Sequence, residues 1–240
     1  AFNSNYNDNT YVGYRYGTVG STTYDATHEN KNDSKIKQAV DKWYEDNLKT
    51  NYANYLADTL FCNDKTLASN GIGGVTTQLG YGANKTYYSS AERLLYSTGT
   101  TSITTSKPTF KCAENATNDY SRFTVSVTTL SNGNKTNGDL KYPVGLLTAD
   151  EVSFAGAYKA GLTNKSYYLY NKSIASYWWL SSPLNYNGSR AFELNVSYSN
   201  GNIFSDYLTY SYAFRPSINL KADILVSGGD GTISNPYVVS

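Results

Sequence analysis

The chain has 240 residues with 20 Lys and Arg against 19 Asp and Glu, a formal charge of +1. That balance excludes a nucleic-acid binder working through a basic field, and a polybasic membrane surface. Only 16% of residues are charged, while 25 are Tyr and none is Met. Polarity therefore rests on Asn, Ser, Thr and Tyr, a composition that reads as extracellular, and a chain without Met reads as one that starts after a removed leader. No apolar run approaches the roughly 18–20 residues of a membrane-spanning helix, so no membrane insertion is expected within these residues.

The first 30 residues are rich in Asn, Tyr, Gly and Thr, and Tyr11–Gly17 alternates as a strand ending in a turn. A helix is predicted over about 33–48, capped by Asp33 or Ser34, with Ile36, Val40, Trp43 and Tyr44 on one face. A second short helix is predicted over 52–60, a loop over 63–84, and a helical turn near 88–95. Residues 97–109 and 113–139 read as Ser/Thr/Asn-rich loops, broken by a strand at Phe123–Val127. Tyr142–Leu147 reads as a short apolar strand. Thr148 and Glu151 then form a capping box for a helix whose inner face carries Val152, Ala155 and Tyr158. Short strands follow at 167–170, 176–180, 191–198, 202–208, 214–220 and 236–239. They are separated by turns at Asn187-Gly188, Asn200-Gly201 and Gly228–Gly231. Helices first and strands last predict an α+β fold in a single domain over 1–240, with a helical, loop-rich part at 1–140 and a sheet-rich part at 141–240.

Familiar catalytic chemistry is missing. His28 is the only histidine and reads as a hydrogen-bonded loop residue, so a two-His metal site is impossible. Ser34-Lys35-Ile36-Lys37 matches S-x-x-K, but no partner motif follows. Asp150 and Glu151 are adjacent and diverge by about 100° on a helix, which is wrong for a catalytic pair. Gly228–Gly231 lacks the acidic ligands of a calcium loop. No enzymatic activity, cofactor or metal is expected. Cys62 and Cys112 are either two buried thiols or one disulfide, and an extracellular composition favours the disulfide.

Tyr177-Trp178-Trp179-Leu180-Ser181-Ser182-Pro183 is the largest aromatic block and reads as a strand with its two tryptophans on opposite faces. From 185 to 212 the chain alternates Phe192, Leu194, Val196, Ile203, Phe204 and Leu208 with Asn, Ser, Tyr and Asp. The first set can face a core, and the second then faces out with a paratope-like composition. These blocks, with 32–37, 41–44, 61–64, 142–151, Phe214–Leu220, Gly228–Thr232 and Asn235–Val239, resemble a family of bacterial surface proteins with a C-type-lectin-like domain of the formylglycine-generating-enzyme type. That group includes the variable proteins of diversity-generating retroelements.

The resemblance covers nearly the whole chain. It implies a C-type-lectin-like fold with helices packed on a small antiparallel sheet. It puts Trp178, Trp179, Arg215 and Pro216 in the scaffold. It puts Asn185, Tyr186, Asn187, Ser189, Tyr198, Asn200, Asp206, Tyr207, Tyr210 and Tyr212 on a ligand-facing surface. The sugar-binding calcium motifs of animal C-type lectins are absent. The expectation is therefore an extracellular or cell-surface module that binds a protein or glycan on another cell or surface. The alternative is a pilin-like or surface-layer subunit whose tyrosines make contacts within a surface filament.

Overall fold

The computed structural model describes residues 1–99, 105–113, 120–159, 161–171, 173–232 and 234–239. The expected loops at 97–109 and 113–139 lie partly outside these residues. In chain order the strands are β1 (Arg15–Tyr16), β2 (Asn32–Asp33), β3 (Phe61–Cys62), β4 (Thr86–Tyr87), β5 (Arg122–Phe123), β6 (Trp178–Tyr186), β7 (Ala191–Val196), β8 (Ile203–Tyr207), β9 (Ala213–Phe214), β10 (Val226–Gly228) and β11 (Val238–Val239). The α-helices are α1 (Tyr24–His28), α2 (Lys35–Asn47), α3 (Ser89–Leu94) and α4 (Ala149–Phe154). The fold is α+β. Its main sheet runs β4-β6-β7-β8, antiparallel throughout, with β9 added parallel to the start of β6.

The aromatic block becomes β6, and all nine of its residues are buried. Successive side chains of a strand point to opposite faces, so Trp178 and Trp179 enter different cores. Trp179 packs with Phe2, Val12, Tyr14, Val40, Tyr44 and Phe123, that is, with the N-terminal segment and α2. Trp178 packs with Leu94, Val152, Leu180, Leu194, Val196 and Ile203, under α3 and α4. The sheet is therefore covered on both sides. β6 is bulged twice against β7, between Trp179 and Pro183 and between Pro183 and Asn185.

Local signals hold where side chains cap backbone ends. Ser34, not Asp33, caps α2, accepting from the Lys37 backbone N–H at 3.2 Å. Ile36, Val40 and Tyr44 form its buried face. Thr148 and Glu151 form the expected capping box of α4. The Asn200-Gly201 hairpin joins β7 to β8, with the Ser197 N–H donating to the Asn202 carbonyl at 2.9 Å. Cys62 and Cys112 are joined as a disulfide. Closing a 50-residue span stabilises the fold by about 3–4 kcal/mol on the chain-entropy account.

Other expected elements are shorter than their patterns. Of Tyr11–Gly17 only Arg15–Tyr16 is strand, after a 3-10 turn Asn9–Tyr11, and 52–60 is only the turn Ala53–Tyr55. The Phe123–Val127 strand stops at Phe123, because the backbone N–H groups of Val125 and Ser126 turn to the Asp58 carboxylate. Tyr142–Leu147 makes one isolated bridge, Gly145 to Ser217, and no strand. Tyr167–Tyr170 is a turn, and 214–220 keeps only its first residue in β9. Tyr158 lies beyond the end of α4 and is 49% exposed rather than on its inner face.

Polar groups are also drawn into the core. Glu193 of β7 is fully buried, and the Gly13 backbone N–H donates to it at 3.4 Å. Burial pushes its carboxyl well above the usual range, with the Gly13 N–H and Lys65 pulling the other way. A buried acid whose folded pKa is raised destabilises progressively as pH rises from the unfolded value toward the folded one. Glu193→Gln is therefore expected to leave stability near pH 4 almost unchanged and to raise it at pH 8. Denaturant unfolding at the two pH values measures this, and an equal effect at both refutes a protonated Glu193.

Candidate ligand-binding surface

β8 is the outer strand of the sheet, paired with β7 alone. Its register places Tyr207 opposite Phe192 on one face, and Asp206 and Phe204 opposite Glu193 and Asn195 on the other. After Tyr207 the chain turns, with the Tyr210 N–H donating to the Tyr207 carbonyl at 3.0 Å, and returns as β9. This turn carries Tyr210 and Tyr212 around the end of β8. The rings form a continuous strip. Centroid distances are 5.5 Å from Tyr207 to Tyr210, 5.8 Å from Tyr210 to Tyr212, 5.0 Å from Tyr212 to Tyr177 and 5.3 Å from Tyr177 to Tyr198.

Arg190 closes one end. Its guanidinium lies 4.6 Å from the Tyr207 centroid and 5.8 Å from that of Tyr6, a cation–π geometry for both. Tyr212 anchors the strip inward: it packs 4.9 Å from Trp179 and donates its hydroxyl to the Asp206 carboxylate at 2.9 Å. Burial raises the Asp206 carboxyl, while the Tyr212 hydroxyl and the Asn195 amide lower it. Burial and the Asp206 charge together push the Tyr212 hydroxyl up, so Tyr212 stays a protonated donor. Tyr198, Phe204 and Tyr210 are 40–45% exposed, and Tyr6, Tyr177, Tyr207 and Tyr212 are half-buried.

The ten residues expected on this surface separate into three groups. Tyr198, Asp206, Tyr207, Tyr210 and Tyr212 belong to the strip. Asn187 and Ser189 are exposed in the β6–β7 turn, where the Asn187 side chain accepts from the N–H groups of Ser189 and Arg190, and Asn200 is exposed in the β7–β8 turn. Asn185 and Tyr186 are corrected. Both lie in the central strand β6 and are buried, and the Tyr186 hydroxyl donates to the Asn7 carbonyl at 2.9 Å. Alternation places a side chain on a face but does not say that both faces are covered. The same rule explains Phe204, expected in the core and found 40% exposed, because the covering layers stop short of β8 at that point.

Tyr6, Tyr177, Arg190 and Phe204 were missing from the expected surface. Arg190 had a legible signal, as the only Lys or Arg between Lys172 and Arg215. Tyr6 had none, because it arrives from the far end of the chain. The Ala191 N–H donates to the Tyr6 carbonyl at 2.7 Å, which fixes the N-terminal segment beside the strip.

A charged cluster between α3 and α4 is closed on itself. Arg93 meets Asp64 at 2.8 Å and holds Asp150 in a two-point pair at 2.9 and 3.0 Å. Glu151 is spent in the capping box. Among the described residues no group of three or more His, Cys, Asp or Glu could hold a metal ion, and no helix is long and apolar enough to cross a membrane. No protein-family model matches the chain, and no curated protein or solved structure matches it significantly.

Removing the Tyr212 hydroxyl deletes one of the two donors that hold the Asp206 carboxyl down. Tyr212→Phe is expected to raise the Asp206 pKa further, read by carboxyl NMR titration. An unchanged titration refutes the hydrogen bond as its cause.

Proposed function

We propose that this chain is an extracellular binding module of C-type-lectin-like architecture, akin to the variable proteins of diversity-generating retroelements, that holds a protein or glycan ligand on the strip from Arg190 to Tyr198. The observation that carries this reading is the strip itself. Its rings lie close against one another at 29–35° through Tyr207, Tyr210, Tyr212 and Tyr177, so rigid apolar walls end in phenolic edges. Such a surface offers large contact area at low conformational cost together with adaptable hydrogen bonds. The reading is of a binder, since the one carboxylate in the strip is committed to Tyr212 and Asn195.

The test is a triple variant, Arg190→Ala with Tyr198→Ala and Tyr210→Ala, assayed against the best hit from a glycan array and a cell-surface protein panel. The three side chains are exposed, so stability should fall only by the lost ring and cation–π contacts, roughly 0.5–1 kcal/mol per site. Affinity is expected to fall at least about tenfold, the order of one interface anchor. Unchanged affinity overturns the assignment.

A second reading, a subunit of a surface filament, is favoured by the C-terminal hairpin. β10 and β11 pair only with each other, and Leu225, Val226, Tyr237 and Val238 are 55–70% exposed. It predicts concentration-dependent assembly in sedimentation velocity that Val226→Ser with Tyr237→Ser abolishes. A monomer at all concentrations removes it.

A further inference from the structure

Lys65 is fully buried, yet among the described residues no carboxylate lies within ion-pair distance of it. Its Nζ lies 2.6 Å from the Arg15 carbonyl, 3.1 Å from the His28 carbonyl and 2.7 Å from Oδ1 of Asn30. The Asn30 carboxamide is held from its other side, where Nδ2 donates to Oδ2 of Asp139 at 2.9 Å and to the Tyr120 carbonyl at 3.4 Å. Asp139 is itself oriented by Arg15, whose Nη1 lies 3.3 Å from its other carboxylate oxygen. An amine, a carboxamide and a carboxylate on the amide nitrogen are thus aligned where the buried lysine meets a cleft lined by Asn30, Tyr120 and Asp139.

We propose that Lys65 and Asn30 are the site of a self-formed isopeptide bond, in which the Lys65 amine displaces ammonia from the Asn30 carboxamide. The Nζ lone pair forms the new bond to Cγ of Asn30, and the Cγ–Nδ2 bond breaks. One Nζ proton passes to Nδ2, which leaves as ammonia. The product is a secondary amide, with no oxidant, reductant or second reactant. Asp139 is the catalytic residue, because its oxygen accepts from the leaving nitrogen and holds the carboxamide in orientation. Fixed geometry supplies the effective concentration such a step needs.

The protonation states fit the geometry. Burial brings Lys65 down to about 7, so much of it is the neutral amine in mildly alkaline solution. Nζ now donates to all three oxygens; loss of one proton leaves two N–H groups for the backbone carbonyls and frees the position that faces the Asn30 carboxamide. Asp139 and Glu193 pull Lys65 the other way, and burial pushes the Glu193 carboxyl well above its usual range, which weakens its share of that pull. Gly13 lets the groups approach: a Cβ there would lie 2.8 Å from Cε of Lys65.

Intact-mass spectrometry of the full chain, denatured and reduced, tests this. The expected mass is about 17 Da below the sequence mass, the loss of one ammonia, with a branched peptide joining Asn30 to Lys65 after proteolysis. Lys65→Arg and Asn30→Ala are each expected to restore the full mass, and Asp139→Asn to leave most molecules unlinked. The full sequence mass in the unmutated chain overturns the proposal. So does the same mass loss without the branched peptide, which is what a succinimide at an Asn-Gly step would give.

Discussion

The structure depends on one constraint: β6 is buried on both faces. Nine consecutive residues without exposed side chains require two separate covering layers. The two tryptophans at its start are divided between those layers. One layer is α3 and α4, from the middle of the chain. The other is the N-terminal segment with α2, fastened by backbone bonds from Phe2 and Asn3 to the Leu208 carbonyl at 2.8 and 3.0 Å. β4 and β9 occupy opposite ends of one edge of β6, and β7 fills the other.

Covering both faces brings polar side chains inside, because the face of β7 opposite Leu194 carries Glu193 and Asn195. These sit at 0% exposure and would be costly without partners. The Gly13 N–H of the N-terminal segment donates to Glu193, and the Asn195 amide donates to Asp206 at 3.4 Å. Asn63 is the main staple, accepting from the Tyr14 N–H at 2.9 Å and donating to the Ser181 carbonyl. Its approach requires Gly13, which has φ +88° and whose Cβ would meet Asn63 at 2.7 Å. The low charge content follows the same logic, since a thin aliphatic core is extended by hydrogen-bonded polar groups.

The tyrosines divide along the same lines. Tyr14, Tyr88 and Tyr186 fill the interior, and the Tyr88 hydroxyl lies 3.3 Å from Nε2 of the buried His28. Those at the β8 edge, where the covering layers end, face outward and contact one another. The hypothesis of a binding surface rests on that boundary: the strip lies where a rigid, doubly covered sheet gives way to solvent. Rings held by such a scaffold lose little entropy on binding.

The sequence alone determined the features set by neighbours along the chain. A cap at Asp33 or Ser34 for α2, the Thr148–Glu151 box, the Asn200-Gly201 hairpin, the split of Trp178 from Trp179 and the α+β class all follow from spacing and local hydrogen bonding. The C-type-lectin-like identity and the ligand stand as inferences from motif resemblance and surface chemistry. Tertiary structure alone decided which faces were covered. Asn185 and Tyr186 carry the same alternating pattern as Tyr207, but they sit in the central strand and are enclosed. Tyr6 and Arg190 joined the strip, and Lys65 met Asn30, through contacts between distant segments. Periodicity orients a side chain relative to its own strand, and only the packing of remote segments fixes what that side chain meets.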